Sequence, residues 1–197
     1  MRAQWPTSVE EITLIGHSMG GLLARSACHY AAAHGHDWTV SLRNLICMGS
    51  PHHGAPLERG GRWVDLVLGA TPFAAPLARV GKLRSAGITD LRHGHALSAH
   101  SRHRPLPLPA RVRCYAMAAT TGLRRGDLKD RLIGDGLVPV ASALGHHPDP
   151  DRVIGFAKSR QWIGYGMNHL DLLSHPDVAD RLLRWLARRP AQKRTRR

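Results

Sequence analysis

The sequence predicts an α/β fold with a mostly parallel sheet. Short apolar segments that suit buried strands alternate with longer helical segments, which is the pattern of parallel sheets covered by helices. Of the 197 residues, 43% are hydrophobic and 21% are charged, which is enough apolar material for one globular domain. No apolar run approaches the roughly 18 residues that a membrane span needs.

Each predicted strand is a short apolar run, and the first and second end at glycine. The first strand leads directly into a helix over 18–34 that is rich in small residues, so this helix can lie close to the sheet. A closing helix is predicted over 176–188, because Val178, Leu182 and Trp185 recur at helical spacing. The predicted strands are residues 11–16, 42–48, 111–118 and 161–167.

We predict one domain over residues 1–189 with an insertion at about 56–107. Glycine and proline recur in the insertion, and the proline-rich run at 104–109 cannot form a central strand. The insertion is therefore expected to lie over the sheet as a helical lid. Residues 190–197 are a basic tail that is expected to be disordered.

The charge is strongly positive, at +14, which raises the possibility of nucleic-acid binding. Phe and Tyr number only 2 and 3, so few rings are present to stack on bases, and we expect no nucleic-acid partner. The three cysteines form no C-x-x-C pair, and no H-E-x-x-H motif occurs. We therefore expect buried free cysteines and neither a metal nor a cofactor.

Residues 16–20 form a G-x-S-x-G motif between the first strand and the helix that follows it. A strand–turn–helix setting is the one that a nucleophilic serine at a sharp turn requires. Ser18 would be lifted above the sheet beside a helix N-terminus, whose amides favour negative charge. Glycine is expected to be needed at positions 16 and 20, because a side chain there would keep the strand and the helix apart.

A serine needs a base, and the base needs a carboxylate that fixes its tautomer. His169 follows the last strand and precedes the last helix, and Asp135 lies between two glycines after the third strand. The order Ser18, Asp135, His169 is the order found in one large class of serine hydrolases. Three other carboxylates compete for the role of the acid, namely Asp127, Asp130 and Asp171.

These segments resemble those of bacterial lipases and related esterases of the α/β-hydrolase fold. The similarity lies in GHSMGG at 16–21, SPHHGAP at 50–56, GDGLVP at 134–139 and MNHLD at 167–171. The resemblance implies hydrolysis of carboxylic esters of small molecules or lipids, with Ser18 as nucleophile, Asp135 as acid and His169 as base. The Met19 amide is expected to be one oxyanion donor. In some of these lipases a carboxylate at the position of Asp171 binds structural calcium.

The fold of this family places four strands and a second oxyanion donor before the serine turn, whereas only ten residues precede the first strand here. We therefore expect an N-terminally incomplete α/β-hydrolase fold, with one edge of the first strand unpaired. The N-terminus as given shows no signal sequence, which predicts a cytoplasmic location. The alternatives are an impaired hydrolase that serves as an interaction module, and a basic nucleic-acid-binding protein.

Overall fold

A computed structural model describes residues 5–54, 105–124 and 134–187, and these residues form a parallel four-stranded sheet. The strands lie side by side in the order in which they occur along the chain, and every pairing is parallel. The mostly parallel sheet predicted from the sequence is confirmed. The strands are β1 (Ile12–His17), β2 (Leu42–Met48), β3 (Arg113–Thr120) and β4 (Gln161–Tyr165).

Three α-helices lie within the described residues, together with several single turns of 3₁₀ helix. The first and last helices agree with the predicted segments to within two residues at each end. The predicted lid and the basic tail lie outside the described residues, apart from residues 105–107, which form no strand. The helices are α1 (Met19–Ala33), α2 (Val140–Ala143) and α3 (Pro176–Leu186).

Two hydrophobic clusters cover opposite faces of the sheet, because side chains alternate along β2 and β3. Leu45 and Cys47 face one cluster, which also contains residues of α1 and α2. Ile46 and Met48 face the other, where Trp185 of α3 packs 4.7 Å from the Tyr115 ring. Helices therefore cover both faces of β2 and β3, as the near-continuous apolar character of these strands predicts.

β1 lies at one edge of the sheet that the described residues form. Leu14 packs against the cluster on the α1 side, but Ile15 on the opposite face is 50% exposed. Leu23 of α1 is 69% exposed as well. The strand that precedes Ser18 is thus covered on one face only by the described part of the chain.

The described helices include no segment long and apolar enough to cross a membrane. The three cysteines are buried and free, as predicted: Cys28, Cys47 and Cys114.

Burial makes these thiols poor nucleophiles, which gives a chemical prediction. It raises the pKa of Cys28 to about 11 and those of Cys47 and Cys114 to about 12. At pH 8 the thiolate fraction is then about one in 1,000 or lower. We expect a thiol-specific disulfide reagent to react slowly with the folded chain and with three thiols after denaturation. Rapid reaction with the folded chain would contradict the packing described here.

Candidate active site

The turn between β1 and α1 places Ser18 above the carboxyl edge of the sheet. Ser18 adopts φ 58° and ψ −127°, a left-handed φ that is strained for any residue other than glycine. Its amide donates to the carbonyl of Met48 at 2.7 Å, which fixes the turn to the end of β2. Strain maintained by such bonds is typical of functional positions, and it agrees with the sharp turn predicted for Ser18.

The Ser18 hydroxyl is buried but does not cap the helix that it precedes. A serine at this position usually accepts a hydrogen bond from an amide of the first turn, and Ser18 makes no such bond. Ser18 is 7% exposed, and its Oγ has no hydrogen-bond partner among the residues that the structure describes. The hydroxyl therefore makes no structural hydrogen bond within that part of the chain.

Two glycines permit the close approach at the turn, and only one of them is the expected residue. A Cβ on Gly16 would lie 2.5 Å from backbone atoms of Gly20 and Gly21, so Gly16 is required as predicted. Among the described residues, which include both β1 and α1, a Cβ on Gly20 would meet nothing within 4 Å, so the expectation that strand–helix packing requires Gly20 is wrong. The close contact falls one residue later, where a Cβ on Gly21 would lie 2.0 Å from Oγ of Ser50. In α1, the position of Gly21 therefore faces β2, whereas the position of Gly20 faces away from it.

Asp135 lies in a tight turn that orients its carboxylate. Oδ1 accepts hydrogen bonds from the amides of Leu137 and Val138 at 3.0 and 2.8 Å. Gly134 and Gly136 flank it at positive φ, and a Cβ on Gly134 would lie 2.1 Å from the Val138 carbonyl oxygen. The glycines on either side of Asp135 are therefore the residues that let the chain fold around one carboxylate oxygen.

The second carboxylate oxygen of Asp135 is paired with His169. Nδ1 of His169 donates to Oδ2 at 2.6 Å, and both side chains are almost fully buried. A backbone hydrogen bond joins the same two residues, since the His169 amide donates to the Asp135 carbonyl at 3.1 Å. With its proton on Nδ1, the imidazole carries its lone pair on Nε2, the form in which it acts as a base.

Gly49, at the end of β2, provides the space in which the His169 ring lies. A Cβ on Gly49 would lie 3.0 Å from Cε1 and 3.2 Å from Nδ1 of that ring, and 2.8 Å from Leu172. Its φ of 58° also favours glycine. The role of Gly49 was not predicted from the sequence, although its position directly before the SPHHGAP segment could have indicated it.

The structure brings Asp135 and His169 into direct contact and places His169 beside the residue that precedes Ser18. The ring of His17 lies 4.5 Å from the ring of His169, centroid to centroid. Met19 is the first residue of α1, so its amide lies at the helix N-terminus next to Ser18. His17 ends β1 and the other residues follow the carboxyl ends of parallel strands, where ligands bind in open α/β sheets.

A buried arginine, which the sequence analysis did not single out, ties the site to the rest of the fold. Arg25 of α1 is 2% exposed; its guanidinium donates to Nδ1 of His52 at 3.1 Å and to the Leu106 carbonyl. Burial, followed by the Arg25 charge, holds the pKa of His52 well below its usual value, so His52 is neutral. One side chain thus joins α1, the loop after β2 and the segment before β3. A charged residue among the small residues of this helix was the available signal.

Among the competing carboxylates, Asp171 has a structural role in the His169 loop. Its Oδ2 accepts from the Asn168 amide at 2.7 Å, and Asn168 Oδ1 accepts from the amides of Leu170 and Asp171. Asp127 and Asp130 lie outside the described residues. Within those residues, no group of three or more His, Cys, Asp or Glu side chains could hold a metal ion.

Comparison with known proteins relates this chain to one domain family and to several solved structures. Residues 2–88 match the PGAP1-like alpha/beta domain. The mature form of Bacillus licheniformis lipase BlEst2 is similar at a TM-score of 0.47 and 17% identity, over 90% of this chain and 65% of that chain. The product of the gene lin2722 of Listeria innocua is similar at a TM-score of 0.48 and 19% identity, over 93% of this chain and 60% of that chain. A search of curated proteins gave no match.

This chain spans 60% to 65% of the length of those two solved proteins. The segment that matches the PGAP1-like alpha/beta domain contains β1, the Ser18 turn, α1 and β2. Together with the parallel sheet covered by helices on both faces, this match shows that the chain has a fold of the α/β-hydrolase type.

Proposed function

We propose that this chain is the catalytic part of a serine hydrolase that cleaves carboxylic esters of small molecules or lipids. The observation that carries the proposal is the buried 2.6 Å contact between His169 Nδ1 and Asp135 Oδ2, at the edge of the sheet where Ser18 lies. A histidine oriented by a carboxylate, at the same sheet edge as a serine in a strained turn, is the arrangement that activates a hydroxyl.

In the first half-reaction, Ser18 Oγ attacks the ester carbonyl and His169 Nε2 takes the hydroxyl proton. Asp135 holds the imidazole in the correct tautomer and stabilises the imidazolium that forms. The Met19 amide donates to the oxyanion of the tetrahedral intermediate, at the positive end of the α1 dipole. The intermediate collapses as His169 gives the proton to the leaving alcohol, which leaves the acyl group on Ser18.

Water completes the reaction by the same steps with the roles reversed. His169 takes a proton from water, the hydroxide attacks the acyl carbonyl, and the Ser18 oxygen leaves with the proton from His169. Asp135 remains ionised throughout, because it stabilises the imidazolium and does not itself accept the proton. Apart from the ester and water, these steps use side chains and backbone amides of this chain.

Apolar side chains next to the His169 loop support an ester with an apolar acyl group. Leu170 and Leu173 are 38% and 61% exposed, and Leu123, in the loop after β3, is 79% exposed. If these exposed leucines contact the acyl group of a bound ester, their burial would favour esters with apolar acyl groups over small charged substrates.

Hydrolysis of p-nitrophenyl esters of increasing acyl length tests the proposal. We expect the chain to release p-nitrophenol, and we expect Ser18→Ala to reduce kcat by about 10⁴-fold or more, the scale seen when a triad nucleophile is removed. Ser26→Ala is the matched control, because Ser26 lies on α1 away from the turn and its removal should leave kcat unchanged. Equal rates for wild type and Ser18→Ala would show that Ser18 is not the nucleophile.

A further inference from the structure

His17, the last residue of β1, connects the strand that carries Ser18 to the loop that carries His169. Its Nε2 lies 3.0 Å from the His169 carbonyl oxygen, and its ring lies 4.5 Å from the His169 ring at 45°. A backbone carbonyl can only accept a hydrogen bond, so the proton of His17 is on Nε2. The His169 carbonyl therefore sets the tautomer of His17, in which Nε2 carries the proton and donates it to the hydrogen bond.

The other hydrogen bonds of this loop that we describe join it to different parts of the molecule. The Met167 amide donates to the Thr120 carbonyl of β3 at 2.9 Å, and the His169 amide donates to the Asp135 carbonyl. These bonds fix His169 relative to β3 and to the acid. The bond from His17 fixes it relative to β1, the strand that leads into Ser18.

His17 also has to remain neutral for the proposed chemistry to proceed beside it. Burial is the main cause that lowers the pKa of His17, and the neighbouring His169 charge lowers it further. The hydrogen bond to the His169 carbonyl and the charge of Asp135 oppose this change but do not cancel it. A neutral ring lets His169 become an imidazolium without a second cation 4.5 Å away.

We infer that His17 is a positioning residue: its Nε2–H donor holds the His169 backbone to the serine strand and so sets the approach of the imidazole to Ser18. This inference rests on the proposed function, because it names the device that aligns base and nucleophile. His17 makes no contact with the reacting ester in this account and acts through His169.

Two substitutions of His17 distinguish the effect of its Nε2–H donor from the effect of its ring. Gln in place of His17 can put an amide N–H near the position of Nε2, whereas Phe keeps a ring of similar shape without the donor. We expect His17→Phe to lower kcat about 10-fold or more with KM changed less than about twofold, since small misplacements of reacting groups reduce rates by such factors. His17→Gln should recover most of the loss. His29→Phe, at an exposed site on α1, is the matched control and should match wild type.

Hydrogen exchange of the His169 amide provides a readout that does not depend on catalysis. This amide donates to the Asp135 carbonyl, so loosening of the loop increases its exchange rate. We expect His17→Phe to exchange faster at His169 than wild type, and His17→Gln to exchange at a rate close to wild type. A His17→Phe variant with wild-type kcat and wild-type protection would overturn the inference. A wild-type chain that hydrolyses no ester would overturn the proposed function instead, while exchange would still decide whether His17 fixes the loop.

Discussion

Replacing Asp135 by Asn should lower kcat for ester hydrolysis by about 10⁴-fold while the chain stays folded. The Asn side chain can keep the amide bonds from Leu137 and Val138 on its oxygen. Its NH₂ group would then face Nδ1 of His169 and donate to it, which moves the imidazole proton to Nε2. An imidazole with its proton on Nε2 cannot take the proton of Ser18, so the base is lost without removal of any atom from the core.

The measurement is kcat with a p-nitrophenyl ester, together with the midpoint of thermal unfolding. Asp171→Asn is the matched control, because Asp171 accepts a backbone bond in the same loop but does not touch the imidazole. We expect the control to keep kcat within about threefold, as an exposed capping contact affects stability by about 1 kcal/mol and not the chemistry. A loss smaller than about 10-fold in Asp135→Asn would mean that another carboxylate orients His169.

Replacing Gly16 by Ala should destabilise the chain by about 3 kcal/mol or more and abolish activity in the fraction that remains folded. The new Cβ would lie 2.5 Å from the carbonyl carbon and oxygen of Gly20 and from the Gly21 nitrogen. All three are backbone atoms of the first turn of α1, so the clash is relieved only by moving the helix away from β1. That movement also shifts Ser18 and the Met19 amide.

Gly20→Ala, four residues along the chain, is the matched control. Its Cβ would meet nothing within 4 Å among the described residues, and alanine is a better helix former than glycine by about 1 kcal/mol. Urea denaturation monitored by circular dichroism should therefore place the midpoint of Gly16→Ala well below wild type and that of Gly20→Ala at or above it. Equal midpoints for the two variants would contradict the geometry described for the Ser18 turn.

The order and type of the elements could be predicted because local pattern and tertiary burial agree in this chain. β2 and β3 are buried on both faces, which produces near-continuous apolar runs such as the one that ends at Met48. Trp185 and Val178 recur at helical spacing because one face of α3 packs on the sheet. The pairing of Asp135 with His169 was also predictable, since loops that follow parallel strands meet at one edge.

The finer features of the site depend on distances between residues far apart in sequence, which no local pattern encodes. The need for glycine at position 21 arises from Ser50, and the need at position 49 arises from the His169 ring. The donor role of His17 depends on a carbonyl 152 residues away. The prediction for Gly20 was wrong for the same reason, because the rotation of α1 against β2 decides which glycine faces the contact.

The central claim is that the Asp135–His169 pair activates Ser18, and the most direct measurement is the site of covalent labelling by a fluorophosphonate. Such reagents transfer a phosphonyl group to a serine oxygen that has a base beside it. We predict a single adduct per folded chain, found by mass spectrometry on Ser18 within the tryptic peptide of residues 3–25. An adduct on a serine outside that peptide, or a folded chain that takes up none, would contradict the account.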